Sequence, residues 1–276
     1  MMKFRMPSAM SRLAVVAWMV LGLGLYPTIA PAAEVEQYPI WWSPTLELES
    51  LDKIDERRKK RFWSEQYEGM HVYKDGDRST ESAEIDDCAT LEQLSNEGYY
   101  TLINNENKII RNLWNSCTIL DLLESARPAK ASFVRDFVMT TEALDYLPAM
   151  MDMAPSCDWL CRQYRANERR ISLRRFEAET NIELKVLSDL KIEARSENWV
   201  FRVEILARAD FNGDGLEDLL TLAHTSVTEQ GTWGESGLFV LSRETLDGVL
   251  WVLDAEIGLC SDYQCDTHYD EPAALR

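Results

Sequence analysis

Apolar residues recur at intervals of three and four over the first two thirds of the chain, which is typical of helices that bury one face. The clearest helix is predicted from about Asn105 to Ala126, where Ile110, Leu113 and Trp114 share a face. Further helices are predicted over 46–67, from Cys88 to Gly98, over 132–151 with a break at Pro148, and over 155–172. The polar stretch 74–87 is predicted to be a loop.

From Ile182 onward the repeat shortens to two, which is the pattern of half-buried β-strands. The alternation over 199–208 places Phe201 and Ala207 on an apolar face and Arg208 on the polar face. Further strands are predicted over 182–194, 219–224, 238–242 and 249–253, the last two as a hairpin.

These patterns together predict an α+β protein. A mainly helical region, 33–180, is expected to pack against a small antiparallel β-sheet in region 181–276, because no linker rich in proline or glycine separates the two. The second region also contains an acidic loop of calcium-binding type and a tail with two cysteines.

Residues 1–32 have the composition of a secretory signal peptide. Lys3, Arg5 and Arg12 precede an apolar run over 13–25, and an A-x-A cleavage signal follows at 30–32. A retained membrane anchor is the alternative, but the run is shorter than the ~20 apolar residues that a membrane-spanning helix needs. We therefore expect an exported protein, periplasmic in the first place and secreted in the second, with no stable membrane span once the leader is cleaved.

The chain is strongly acidic, with a formal net charge of −18 over 276 residues. The predicted leader has three basic and no acidic residues, so its removal makes the charge more negative still. Such a surface repels nucleic acids and attracts cations, including divalent metals. The expected partner is therefore a protein or another envelope component, and no nucleic acid.

Six cysteines follow the leader, and an even number in an exported chain favours disulfides. Their proximity in sequence suggests three pairs: Cys88–Cys117, Cys157–Cys161 and Cys260–Cys265. The middle pair is the least certain of the three on geometric grounds. Side chains four residues apart on a helix begin ~5–6 Å apart at Cβ, whereas a disulfide needs ~3.8 Å.

The most specific chemical pattern is the loop Asp-x-Asn-x-Asp-Gly-x-x-Asp. It offers five oxygen ligands to a metal ion, namely the side chains of Asp210, Asn212, Asp214 and Asp218 and the main-chain oxygen of Leu216. Gly215 occupies the position at which such a loop turns sharply. Calcium takes many hard oxygen ligands in a flexible arrangement, so it is preferred over magnesium. The alternative is a tight turn in which Asn and Asp side chains accept local backbone hydrogen bonds.

The segment from Asp210 to Leu220 resembles the strand–loop–strand calcium motif of FG-GAP and VCBS repeats. This resemblance implies that Asp210, Asn212, Asp214 and Asp218, with the Leu216 carbonyl, bind a structural calcium ion. Those families build propellers from many repeats, whereas this chain has one copy, so a propeller is not expected. An EF-hand would place its bidentate glutamate at Thr221, so the EF-hand form is incomplete.

No catalytic motif is present in the sequence, and the three histidines, His71, His224 and His268, lie far apart. We therefore expect a non-enzymatic protein of binding or envelope-associated type, with calcium in a structural role. One alternative is an exported hydrolase whose site lies between the helical and β parts near His224 and the Trp233 loop. Another is an inhibitor or accessory subunit that docks through the Trp233 loop.

Overall fold

The computed structural model describes residues 37–62, 70–101, 104–151, 157–176, 182–197, 199–227 and 234–256, with backbone only over 104–108, 157–160 and 255–256. The predicted leader, the Trp233 loop and the cysteine-containing tail therefore lie outside the described residues. Among the helices that are described, none is long and apolar enough to cross a membrane.

Short strands and helices are mixed in the first part of the chain, and six consecutive strands follow among the described residues. The strands are β1 (Trp41–Trp42), β2 (Met70–Lys74), β3 (Ser82–Ile85), β4 (Tyr99–Tyr100), β5 (Ala131–Ser132), β6 (Glu183–Ser188), β7 (Lys191–Arg195), β8 (Trp199–Ala209), β9 (Leu216–Val227), β10 (Gly234–Ser242) and β11 (Trp251–Glu256). The helices are α1 (Ile54–Arg58), α2 (Cys88–Asn96), α3 (Asn104–Ser125), α4 (Cys157–Glu168) and α5 (Leu173–Phe176). Single 3₁₀ turns lie at Pro44–Leu46, Leu51–Lys53, Ala143–Asp145 and Ala149–Met151.

The main sheet is an antiparallel meander in the order β11-β10-β9-β8-β7-β6. Two short segments from earlier in the chain extend it: β1 pairs with β8, and β5 pairs with β9 in parallel. The α+β class is confirmed, as are the strands predicted from the two-residue repeat.

Both faces of the sheet are covered. On one face, Leu120 and Leu123 of α3 join Leu220 and Val240 in a core cluster. On the other face, Phe201 packs in a larger cluster with the segment 134–151 and α5. The sheet is therefore the middle of three layers, which accounts for the burial of strands such as β9 on both sides.

A disulfide joins α2 to α3. Cys88 is bonded to Cys117 with a Cα–Cα distance of 5.5 Å, which confirms this predicted pair. Cys161 also belongs to a disulfide, but its partner lies beyond the described side chains. The predicted pairs Cys157–Cys161 and Cys260–Cys265 therefore stay predictions.

The prediction of two helices over 132–151 is wrong. This segment contains β5 and two single 3₁₀ turns, and its side chains are buried on several sides. Its internal backbone bonds close only single turns, and other backbone groups bond to distant partners: the Met139 N–H donates to the Asp189 carbonyl at 2.8 Å, and the Leu147 carbonyl accepts from Leu173. Tertiary contacts thus satisfy part of the hydrogen bonding that a continuous helix would have made internally.

The loop predicted over 74–87 and the long helix over 46–67 are also wrong. Helix α1 ends at Arg58, and β2 and β3 form a hairpin that is part of a small sheet with β4. The hairpin forms because Val72 and Ile85 are buried against α2, each 1% exposed. A small sheet therefore accompanies the helices of region 33–180.

Candidate functional site

The acidic loop joins the two strands with the longest pairing in the sheet, β8 and β9. The last pair of the ladder is Ala209 with Asp218, and the chain reverses between them. Gly213 and Gly215 have φ angles of 83° and 89°, a region that other residues enter only with strain. The glycines of the motif are therefore required by the backbone of the turn itself.

Asp210 holds the loop together from the inside. Its side chain is buried, and its Oδ1 accepts the Gly213 N–H at 2.6 Å while its Oδ2 accepts the Gly215 N–H at 2.9 Å. Both carboxylate oxygens thus bind backbone donors across the turn. Each oxygen has a second lone pair that is not used by these bonds.

Asn212 and Asp214 are exposed at the tip and make short-range hydrogen bonds. The Asp214 N–H donates to Asn212 Oδ1 at 2.9 Å, and the Asn212 amide donates to Asp214 Oδ2 at 2.9 Å. Asp214 Oδ1 accepts the Leu216 N–H at 2.7 Å. These are the Asx-turn bonds that the turn interpretation of the motif requires.

Asp218 differs from the other three because it is fully buried. Its Oδ2 accepts the Phe211 N–H at 3.2 Å, whereas its Oδ1 has no hydrogen-bond partner among the described residues. Burial raises the pKa of Asp218 to about 7, with smaller contributions from the charges of Asp214 and Asp210; the Ser242 hydroxyl and the Phe211 N–H act in the opposite direction. An unpaired buried carboxylate oxygen is uncommon and unfavourable.

The segment 127–131 wraps around the loop. Arg127 and Asp210 exchange two backbone hydrogen bonds, of 3.0 and 2.9 Å, and the Gly215 carbonyl accepts from Lys130 and Ala131. A Cβ placed on Gly213 would lie 3.9 Å from Arg127 Nη1, and one on Gly215 would lie 3.5 Å from Lys130 Cδ. Sequence reasoning missed this clamp, because a two-residue strand carries no recognisable pattern.

The predicted ligands are thus brought to one turn, but their carboxylates do not converge. Over the described part of the chain, no group of three or more His, Cys, Asp or Glu side chains is arranged so that it could hold a metal ion. Asp210 and Asp214 are directed towards backbone N–H groups, and Asp218 lies beneath them at the end of the ladder. A cation would have to draw these oxygens together, and the Asp218 carboxylate, which also has the Ser242 hydroxyl nearby, would contribute Oδ1.

The histidine of the hydrolase alternative has a serine neighbour. His224 Nδ1 lies 2.9 Å from Ser236 Oγ, and the two residues face each other in the β9–β10 ladder. His71 lies on β2 opposite Glu84, far along the chain from this pair. His268 and Trp233 lie outside the described residues. The His224–Ser236 pair fits a cross-strand contact that stabilises the sheet.

The likeness of the chain to FG-GAP and VCBS repeats is confined to the residues of the acidic turn. Comparison with protein-family models, with curated proteins and with solved structures found no significant match to this chain.

Proposed function

We propose that the chain is an exported calcium-binding protein of binding or envelope-associated type, in which calcium has a structural role. The observation that carries the proposal is Asp218 Oδ1, a buried carboxylate oxygen without a hydrogen-bond partner among the described residues, at the base of the acidic turn. The proposed ligands are the side chains of Asp210, Asn212, Asp214 and Asp218 and the main-chain oxygen of Leu216.

The electrostatics of the turn support a cation. Asp210 and Asp214 both raise the pKa of Asp218, so the three carboxylates are close enough to repel each other. A bound divalent ion would turn this repulsion into attraction and would give Asp218 Oδ1 a partner. A buried carboxylate without such a partner costs several kcal/mol of desolvation, roughly.

The types of ligand support calcium in particular. The turn contains neither histidine nor cysteine, which zinc prefers, and it offers carboxylate, amide and carbonyl oxygens. The exposed tip at Asn212 and Asp214 can adjust its side chains, as the irregular coordination of calcium allows.

A structural role follows from the position of the turn. The ion would fasten the ends of β8 and β9, the two longest strands, whose residues contribute to the core on both faces of the sheet. We propose a protein or envelope component as partner, because the acidic chain disfavours nucleic acid. The absence of a catalytic motif in the sequence supports binding rather than catalysis.

Thermal melting with and without calcium tests the proposal. We expect millimolar calcium, compared with chelator, to raise the melting temperature of the wild-type protein, and Asp210→Ala or Asp218→Asn to abolish that rise. Glu183→Gln removes an exposed carboxylate on β6, far from the turn, and serves as the matched control that keeps the rise. Magnesium at the same concentration should have a smaller effect. The proposal fails if calcium does not shift the wild-type melting temperature.

A further inference from the structure

A cavity of about 400 Å³ lies on the face of the sheet opposite α3, beside Phe137 and Tyr146 of the core cluster there. Its walls come from the N-terminal arm, the segment 132–146 and the turn between β10 and β11. Ten residues line it: Tyr38, Ser132, Arg135, Asp136, Phe137, Val138, Thr140, Tyr146, Arg243 and Leu246. Its size is that of a pocket for a small ligand.

Arg243 is buried in the wall, and no carboxylate among the described residues is hydrogen-bonded to it. Its Nε donates to the Phe133 carbonyl at 2.8 Å, its Nη2 donates to the same oxygen, and its guanidinium lies 5.5 Å from the centre of the Phe137 ring. Burial lowers the pKa of Arg243, and exposed Asp247 acts against this. A buried cation that is bonded to a carbonyl is only partly compensated.

Arg135 is the accessible cation of the pocket. Its Nη1 donates to Glu217 Oε1 at 3.2 Å, and its guanidinium lies 5.1 Å from the centre of the Tyr38 ring. The other oxygen of buried Glu217 accepts the Ser132 hydroxyl at 2.6 Å, which fixes the carboxylate in place. A guanidinium has five N–H donors, so most of those on Arg135 remain for a ligand.

A third cation, Arg208, lies behind the Phe137 wall of the pocket. Arg208 is buried, donates to the Phe137 carbonyl at 2.8 Å and lies over the Trp41 ring, while its Nε has no partner among the described residues. Burial lowers the pKa of Arg208 most, and the charge of Arg135 lowers it further. The two cations are therefore close to each other. The anions near these three cations are Glu217, which is already bound to Ser132 and Arg135, and Asp136 and Asp247, which are both exposed to solvent. Solvent screens the two exposed carboxylates, so the pocket attracts one negative charge better than two.

The remaining wall is apolar and partly exposed. Leu246 and Val138 are 66% and 40% exposed, two of the six large hydrophobic residues with this property among the described residues, and both line the cavity. Phe137 and Tyr146 pack edge to face beside them. An apolar body on the ligand would cover these side chains.

We propose that this pocket binds a small organic carboxylate, whose carboxylate group pairs with the Arg135 guanidinium and whose apolar body covers Val138 and Leu246. A guanidinium matches the planar carboxylate with two parallel hydrogen bonds. The Thr140 hydroxyl lines the same cavity and provides a further polar group. This site is independent of the proposed calcium loop.

Calorimetric titration with simple probes tests the proposal. Octanoate and benzoate are expected to bind, and the neutral octanamide and benzamide are not. Arg135→Gln should weaken octanoate binding by about 10- to 100-fold, the worth of a hydrogen bond to a charged group. Arg135→Lys keeps the charge but loses the two parallel hydrogen bonds of the guanidinium, so its affinity for octanoate should lie between those of the wild type and Arg135→Gln. Arg195→Gln, at the exposed last residue of β7, is the control that leaves binding unchanged.

Arg135→Gln leaves buried Glu217 without its cation and could therefore impair folding. A second variant tests the proposal without this complication. Leu246→Ser changes a mostly exposed side chain and should weaken octanoate but not acetate, since acetate lacks the apolar body. The proposal is overturned if the amides bind as well as the carboxylates, if inorganic phosphate binds more tightly than octanoate, or if no carboxylate binds at about 10 mM, above the weakest useful affinity.

Discussion

The acidic turn and the arginine-lined pocket bury charge in opposite ways. At the turn, the oxygens come from nine consecutive residues, and Asp218 Oδ1 lacks a hydrogen-bond partner within the described chain. At the pocket, the guanidiniums come from Arg135, Arg208 and Arg243, far apart in sequence, and two of them donate to main-chain carbonyls. We propose a cation as the ligand of the first arrangement and an anion as the ligand of the second.

The two regions meet at adjacent residues of β9. Glu217 points to the pocket side and binds Ser132 and Arg135, whereas Asp218 points to the other side and accepts the Phe211 N–H. Because neighbouring side chains of a strand alternate between faces, one strand serves both regions without mixing their charges. Independent behaviour of the two regions is therefore expected, and variants of these two residues test it.

The largest effect is expected from Asp218→Asn in chelator. The pKa of Asp218 is raised from an ordinary 3.8 to about 7 by burial, so at pH 8 the folded protein carries an unfavourable buried charge. Its removal should raise the free energy of unfolding at pH 8 by up to about 4 kcal/mol, since each pKa unit corresponds to ~1.4 kcal/mol. Urea denaturation of the variant and of the Glu183→Gln control measures this.

The difference in stability between Asp218→Asn and the wild type should depend on pH in a defined direction. Since the folded pKa lies above the unfolded one, the contribution of Asp218 to stability is complete below pH ~4 and is lost as the pH rises through about 7. In chelator, the advantage of Asp218→Asn should thus be small at pH 4.5 and largest at pH 8. A constant difference across this range would mean that the charge of Asp218 is not the cause.

A smaller loss is expected from Glu217→Gln. The variant keeps the acceptor for Ser132 but leaves Arg135 without its carboxylate, and because Arg135 is 36% exposed, solvent screens the pair. We expect the free energy of unfolding to fall by about 1–2 kcal/mol, with the calcium-dependent shift in melting temperature unchanged. Glu204→Gln, which breaks the more exposed pair with Lys191, is the control and should cost less. Loss of the calcium response in Glu217→Gln would show that the two regions are coupled.

The smallest effect is expected from Gly215→Ala. At a φ of 89° the alanine side chain is strained, although the nearest atom of Lys130, at 3.5 Å, leaves ordinary contact distance. Thermal denaturation should show a loss of about 1 kcal/mol, and Gly215→Asn a smaller one, because asparagine tolerates left-handed backbone better. Equal losses for both variants would identify contact with Lys130, and not backbone strain, as the cause.

The sequence predicted those features whose signals are local. The strands of the meander, helices α2 and α3, the Cys88–Cys117 pair and the turn at Asp210 all depend on short repeats, caps or spacing. The prediction of helices over 132–151 was wrong because the apolar residues of this segment are buried by tertiary contacts and not along one helical face.

The position of Arg208 was predicted wrongly because β8 contains one irregularity. The alternation of β8 placed Arg208 on the polar face and Ala207 with Phe201. A β-bulge between Ile205 and Ala207 shifts the register, so Ala207 joins the core on the α3 side while Arg208 is buried beside Phe137. The pocket could not be predicted, because its cations come from three separate places: this bulge, the irregular segment over 132–146 and the turn after β10.

Calorimetric titration of the metal-free protein with calcium at pH 8 tests the central claim most directly. We expect one calcium ion to bind per chain, and Asp218→Asn to remove the binding heat although it folds at least as stably as the wild type. Glu183→Gln should bind as the wild type does. Equal binding by Asp218→Asn and the wild type, or no binding by the wild type at millimolar calcium, would contradict a calcium site at the turn between β8 and β9.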